Sequence, residues 1–152
     1  CPALGADIAD AAARIDQHLH VGKTHACVEG PRLGTRAESF FLRDSAHCDL
    51  VGMTNVPEVF LAREAQLAYC SLCLITDYDC WMDDPTQHVS VDKFLATYQS
   101  TLEKAQKVLA TLLQVPLRDT PDDIRGSLNS AVLTAEDGLT PKQKLWLDVL
   151  RQ

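Results

Sequence analysis

Apolar residues recur at spacings of three and four along one long stretch. Val91, Phe94, Leu95, Tyr98, Leu102, Ala105, Val108, Leu109 and Leu112 follow that period. It predicts a long helix packed on a sheet, with Ser90 as its N-cap. Residues 3–18 carry weaker helical spacing in Leu4, Ile8, Ala11, Ala12 and Ile15, and Gly22 ends that segment. Arg36 to Arg43 reads as a helix with Ala37, Phe40 and Phe41 on one side. A further helix is expected to about Gln66, with Val59, Phe60, Ala62 and Ala65 inward. Asn55 and Glu58 make a capping-box pattern at its start, around Pro57. Between the helices lie short apolar runs: Thr24–Val28, Asp49–Met53 and Ala68–Ile75. Runs of this kind read as strands, the last as one covered on both faces. Helices alternating with strands predict crossover units and an α/β fold with a mostly parallel sheet. From Pro116 onward the chain has Pro121, Gly126, Gly138 and Pro141, and only short helical stretches such as 141–150. The expected organisation is one domain over 1–152, with a core at 1–113 and a helical tail at 114–152.

The run from Ala68 to Ile75 stops abruptly at two carboxylates, Asp77 and Asp79. In an extended segment, residues two apart point the same way. Open α/β sheets bind their ligands at the carboxyl ends of strands. A pair of acids there has two readings. They line a ligand site, or they form a turn and cap the next element.

Composition narrows the partners. The 152 residues hold 21 acids against 14 bases, a net charge of −7. That balance, with no Lys/Arg cluster, speaks against nucleic acid. No run approaches the ~20 apolar residues of a membrane span. No signal peptide is visible, and the sequence begins at Cys1, so a processed or truncated product is expected. Six cysteines are many for this length. Cys27, Cys70 and Cys73 sit inside apolar runs, where cysteine behaves as a small hydrophobe. Cys70 and Cys73 have C-x-x-C spacing, with Cys80 and His88 beyond. In a strand, however, a pair three apart points to opposite faces, which is wrong for chelation. The chain is therefore expected to hold no metal, and to belong in a reducing, cytoplasmic compartment.

Several segments taken together resemble the methylthioadenosine phosphorylases of the purine nucleoside phosphorylase superfamily. They are Val28-Glu-Gly-Pro-Arg32, Thr35-Arg-Ala-Glu-Ser39, Gly52-Met-Thr-Asn-Val-Pro-Glu-Val59, Thr76-Asp-Tyr-Asp-Cys-Trp81 and Val89-Ser-Val-Asp92. The resemblance covers about residues 1–113 and only the family's C-terminal half. The Gly-rich phosphate loop and the Arg-His phosphate motif have no counterpart here. It implies part of a phosphorylase/hydrolase-like three-layer fold, with a central mixed, mostly parallel sheet flanked by helices. It also implies an N-terminal half, separate or lost, and a homotrimer of completed units.

The reaction implied is phosphorolysis of 5′-methylthioadenosine or a related 5′-deoxyadenosine-type nucleoside. Inorganic phosphate is the co-substrate and no cofactor is needed. Asp77 falls on the position that supplies a proton at purine N7. Asp79 falls on the acceptor for the exocyclic amine, which suits 6-aminopurines. Met53 falls on the ribose contact and Thr54 on a phosphate contact at a helix entry. Read locally, Met53 is equally a core residue and Thr54 a capping candidate. Val91, Phe94 and Leu95 match the apolar pocket for the 5′ substituent. Leu33 stands where more familiar members stack a Phe on the purine, and Gly34 where they carry Ser. The alternative is a relative that binds purine nucleosides without catalysis.

Overall fold

The computed structural model describes residues 1–84 and 90–151. The first helix, α1 (Pro2–Arg14), opens with proline in its first turn, where no N–H is missed. Its buried side chains are Asp7, Ile8, Ala11 and Ala12, on the face the spacing predicts. Strand β1 (His25–Cys27) follows, then α2 (Arg36–Phe40), capped by the Thr35 hydroxyl accepting from the Glu38 N–H. Helix α2 widens into a π-helical turn, Phe41–Ser45. Strand β2 (Leu50–Gly52) leads to α3 (Glu58–Glu64). The long α4 (Val91–Leu112) has Ser90 as its N-cap, accepting from the Lys93 N–H. A short α5 (Asp122–Arg125), a 3-10 turn at Glu136–Gly138 and α6 (Pro141–Leu150) complete the order.

The fold is α/β with a parallel sheet, as expected. Strands β1 and β2 pair in parallel, His25 with Leu50, Ala26 with Val51 and Cys27 with Gly52. At the sheet's entrance the Asp49 carboxylate accepts from the Thr24 N–H and from Lys23. Gly52 lets the His25 ring lie close to the strand: a Cβ there would sit 2.5 Å from Nε2 and push the ring aside.

The core lies beside the sheet. Ile8, Ala11 and Ala12 of α1 meet Val108 and Leu112 of α4, with Leu4, Leu19, Cys70 and Leu72 packed around them. Asp7 is buried under this layer, where the Arg118 guanidinium and backbone N–H both bind its carboxylate. The same guanidinium reaches Asp10. Gln66 ties the tail to the end of α3, accepting from the Leu128 N–H and donating to the Leu150 carbonyl.

Several expectations need correction, and the first is that Phe60 of α3, expected inward, is exposed. Helix α4 packs on α1 and not on the sheet, and its amino-terminal apolar residues, Val91 and Leu95 among them, are exposed. Of Ala37, Phe40 and Phe41, expected on one side of a helix from Arg36 to Arg43, only Phe40 is half-buried, and the buried residue of α2 is Ser39. Asn55 does not cap α3: its amide donates instead to Ser71 Oγ, and Glu58 accepts from the Tyr69 hydroxyl. Both partners of the expected capping box are thus spent on the segment beyond the helix. That segment, Ala68–Ile75, has no regular secondary structure. A strand exists only through a ladder, and among the described residues this run has none. Side chains hold it: Asn55 on Ser71, Cys70 against Gly5 of α1, and Cys73 3.9 Å from His25.

Little of the apolar surface is covered. The chain exposes 11202 Å². A compact monomer of its 16.7 kDa exposes about 7,600 Å². Large apolar side chains such as Phe41, Phe60, Leu61 and Val91 stand in solvent. Among the described residues, no helix is long and apolar enough to cross a membrane.

Candidate functional site

The turn from Thr76 to Trp81 is built by its own carboxylates. Asp77 Oδ1 accepts from the Asp79 N–H at 2.9 Å, two residues on, and Oδ2 accepts from the Thr76 hydroxyl at 2.7 Å. That closes an Asx-type turn. Asp79 sits at φ 58°, in the left-handed region, which aspartate tolerates better than most side chains. Its Oδ1 accepts from the Cys80 N–H at 2.7 Å and its Oδ2 from the Ser39 hydroxyl at 2.8 Å. The turn reading of the pair is therefore realised in these hydrogen bonds. The acids form the turn, and the turn faces a concavity.

Helix α2 holds the turn from the side. Ser39 is only 3% exposed, and its hydroxyl is the buried fastening between α2 and the turn. The Arg43 guanidinium lies between two rings, 5.2 Å from the centre of Phe40 and 4.5 Å from that of Trp81. Tyr78 meets Trp81 edge-on. Arg36 reaches Asp83 across solvent at 3.0 Å. At the start of α2 the Arg32 fork grips Glu38 at 2.6 and 2.7 Å and holds its carboxyl below the usual range.

Asp77 and Asp79 line an open concavity of about 2210 Å³ together with Ser39, His25, Cys27 and Asn55. Pockets for single small ligands run to roughly 300–1,000 Å³. This hollow exceeds that range, and it has space for more polypeptide. Cys73 stands in its wall, its thiol pushed up by burial first and by Cys70 second. The Cys80 thiol is raised by burial and by Asp79. All six cysteines are free. Among the described residues, no three His, Cys, Asp or Glu side chains are grouped to hold a metal ion. His88 and Val89 lie outside the described residues.

The other expected site residues are not gathered there. Leu33 is 93% exposed. Met53 packs its sulfur over Gly30, and neither it nor the exposed Thr54 lines the hollow. Val91, Phe94 and Leu95 occupy the first turns of α4, outside the hollow, with Phe94 stacked on Tyr98. Ser39 was not singled out as a site residue by the sequence. Its contact lies 40 residues away. The available signal was a lone hydroxyl on an otherwise apolar and charged helix.

A family model for the phosphorylase superfamily matches residues 1–114. The S-methyl-5'-thioadenosine phosphorylase of Nitrosopumilus maritimus is 40% identical over 114 residues, 75% of this chain and 42% of the relative. That of Hyperthermus butylicus is 40% identical over 135 residues, 89% of this chain and 48% of the relative. The chain thus spans about half the length of the curated relatives it matches. Among solved structures, a methylthioadenosine phosphorylase from an antarctic soil metagenomic library superposes with a TM-score of 0.81 at 32% identity, over 99% of this chain and 53% of the other. A variant of the Schistosoma mansoni adenosine/methylthioadenosine phosphorylase, in complex with methylthioadenosine, gives 0.69 at 27%, over 91% and 52%.

Proposed function

The chain belongs to the phosphorylase superfamily, and from that premise we propose that it supplies the purine-binding half of a 5′-methylthioadenosine phosphorylase. The carrying observation is the Thr76–Trp81 turn, which presents two fixed carboxylates to a hollow larger than the range of single-ligand pockets. Phosphate oxygen attacks C1′ of the nucleoside and the C1′–N9 bond breaks, leaving its electron pair on the purine. The Asp77 carboxyl gives a proton to N7, so that adenine departs neutral and the pentose leaves as its 1-phosphate. Asp79 accepts from the exocyclic amine, each of its oxygens having a lone pair beyond the hydrogen bonds it already accepts.

Met53 meets the ribose, Thr54 the phosphate, and Leu33 the purine face. Val91, Phe94 and Leu95 wall the 5′ substituent. The exposure of Leu33, Val91 and Leu95 fits residues covered by other parts of an assembly. The excess of roughly 3,600 Å² over a compact monomer supports the same conclusion. The cover is the remainder of the phosphorylase fold, supplied by the same or another polypeptide, and then neighbouring units of a trimer. No cofactor beyond phosphate enters, and the setting is cytoplasmic.

The test is phosphate-dependent release of adenine from 5′-methylthioadenosine. It should be absent for residues 1–152 alone and present once the remaining half is co-expressed. Nucleoside binding without adenine release by the completed protein would establish the non-catalytic alternative.

A further inference from the structure

We infer that Ser39 is a positioning residue for the Asp77–Asp79 turn. Its buried hydroxyl fixes the Asp79 carboxylate, and the Asp79 backbone in turn aims Asp77. The inference rests on the phosphorolysis reading above.

The hydrogen bonds form a short relay. Ser39 Oγ donates to Asp79 Oδ2 at 2.8 Å. The Asp79 N–H donates to Asp77 Oδ1 at 2.9 Å. The partners of Asp77 in these bonds, Thr76 and Asp79, both belong to the turn. Among the described residues Asp77 therefore has no hydrogen bond of its own to a helix or strand, and Asp79 carries that fastening for it. Other links between α2 and the turn region are weaker guides to a carboxylate. The Arg36–Asp83 pair is exposed, and such pairs fix little. The Cys80 thiol reaches the Gly34 carbonyl only at 3.9 Å, as a weak donor. The Arg43 stack holds the ring of Trp81, four residues beyond Asp77.

Burial makes the Ser39 link different. A hydroxyl removed from water has to find a partner, and here the partner is ionisable. A hydrogen bond to a charged group is shorter and stronger than one between neutral groups. It also offsets the left-handed backbone of Asp79, which a freed side chain would not hold as firmly. Displacing the proton donor by a fraction of an ångström lowers turnover without removing any group that touches substrate.

The experiment uses the completed protein. Ser39→Ala should lower kcat for adenine-nucleoside phosphorolysis about tenfold, the scale of one lost hydrogen bond to a charged group. KM for phosphate should stay within about twofold, because no phosphate contact changes. Ser39→Thr keeps the hydroxyl and should restore most of kcat. A merely structural role would lower Tm and leave kcat per folded molecule at the wild-type value, and that result overturns the inference. A second measurement is independent of turnover. Amide exchange at Asp79 and Cys80 should quicken about tenfold in Ser39→Ala, with α1 and α4 unchanged. Unchanged exchange at those two amides overturns the inference whether or not the wild type is active. A wild type that binds and cleaves no 5′-deoxyadenosine analogue defeats the functional reading alone.

Discussion

The α1–α4 pair and the segment from Ala68 to Trp81 touch through Cys70 and Leu72, yet they are held in opposite ways. The helix pair satisfies its backbone internally and buries Ile8, Ala11, Ala12, Val108 and Leu112 against one another. Among the described residues the segment has no ladder, and it borrows its order from side chains outside it: Asn55, Glu58, His25 and Ser39. Apolar packing needs only volume and shape. Polar fastening needs particular atoms at particular distances. The difference separates what keeps this chain folded from what its turn can do. Substitutions in the two regions should therefore fail in different assays.

The largest expected effect tests the turn. Asp77→Asn keeps the side chain's shape and removes the acid, so kcat in the completed protein should fall ~10²–10⁴-fold with little change in Tm. Near-normal adenine release by this variant would remove Asp77 from the chemistry. Next comes the helix pair. Leu112→Ala should destabilise by about 2–5 kcal/mol in denaturant unfolding, leaving kcat per folded molecule within about twofold. A loss of turnover equal to that of Asp77→Asn would abolish the distinction between the regions. The third variant sharpens the roles inside the turn. Asp79→Asn exchanges a pure acceptor for an amide that also donates. It should raise KM for 6-aminopurine nucleosides about tenfold and relax discrimination against 6-oxo ones. Competition kinetics with the two purine classes would read it.

The smallest effect concerns pH at the sheet's entrance. Asp49 has its carboxyl lowered, first by the Thr24 N–H and then by Lys23. A carboxyl depressed in the folded state adds stability above its unfolded value. That stability goes as pH falls through the folded one. The Thr24 amide shift should therefore titrate with Asp49 below the ordinary value of about 3.9. A midpoint above it would show that the contact is not kept in solution.

The same division decides how much was legible in the sequence. The helix spacing of α4 and its Ser90 cap are local facts, and both stand in the structure. So is the stretch 141–150, which matches α6 in extent and is closed by a capping box between Thr140 and Gln143. The run Ala68–Ile75 has the composition of a strand, but composition does not provide the neighbour a strand pairs with. Asn55 and Glu58 have the spacing of a cap, but Ser71 and Tyr69 claim both side chains. In the turn, the abrupt stop at Asp77 and Asp79 was visible. Ser39, which fastens it, sits on another element and carries no spacing signal.

The stacking of Arg43 on Trp81 has an optical consequence. The excited indole responds to charge nearby, and a guanidinium 4.5 Å from the ring is such a charge. The chain has two tryptophans, and the other, Trp146, lies on α6 beside Lys142. Trp146→Phe would leave one emitter, set at the end of the turn that carries both acids. Under the function proposed above, its spectrum would report a purine settling against the turn with phosphate withheld, so that no bond is broken. Occupancy and turnover become separately measurable in one cuvette.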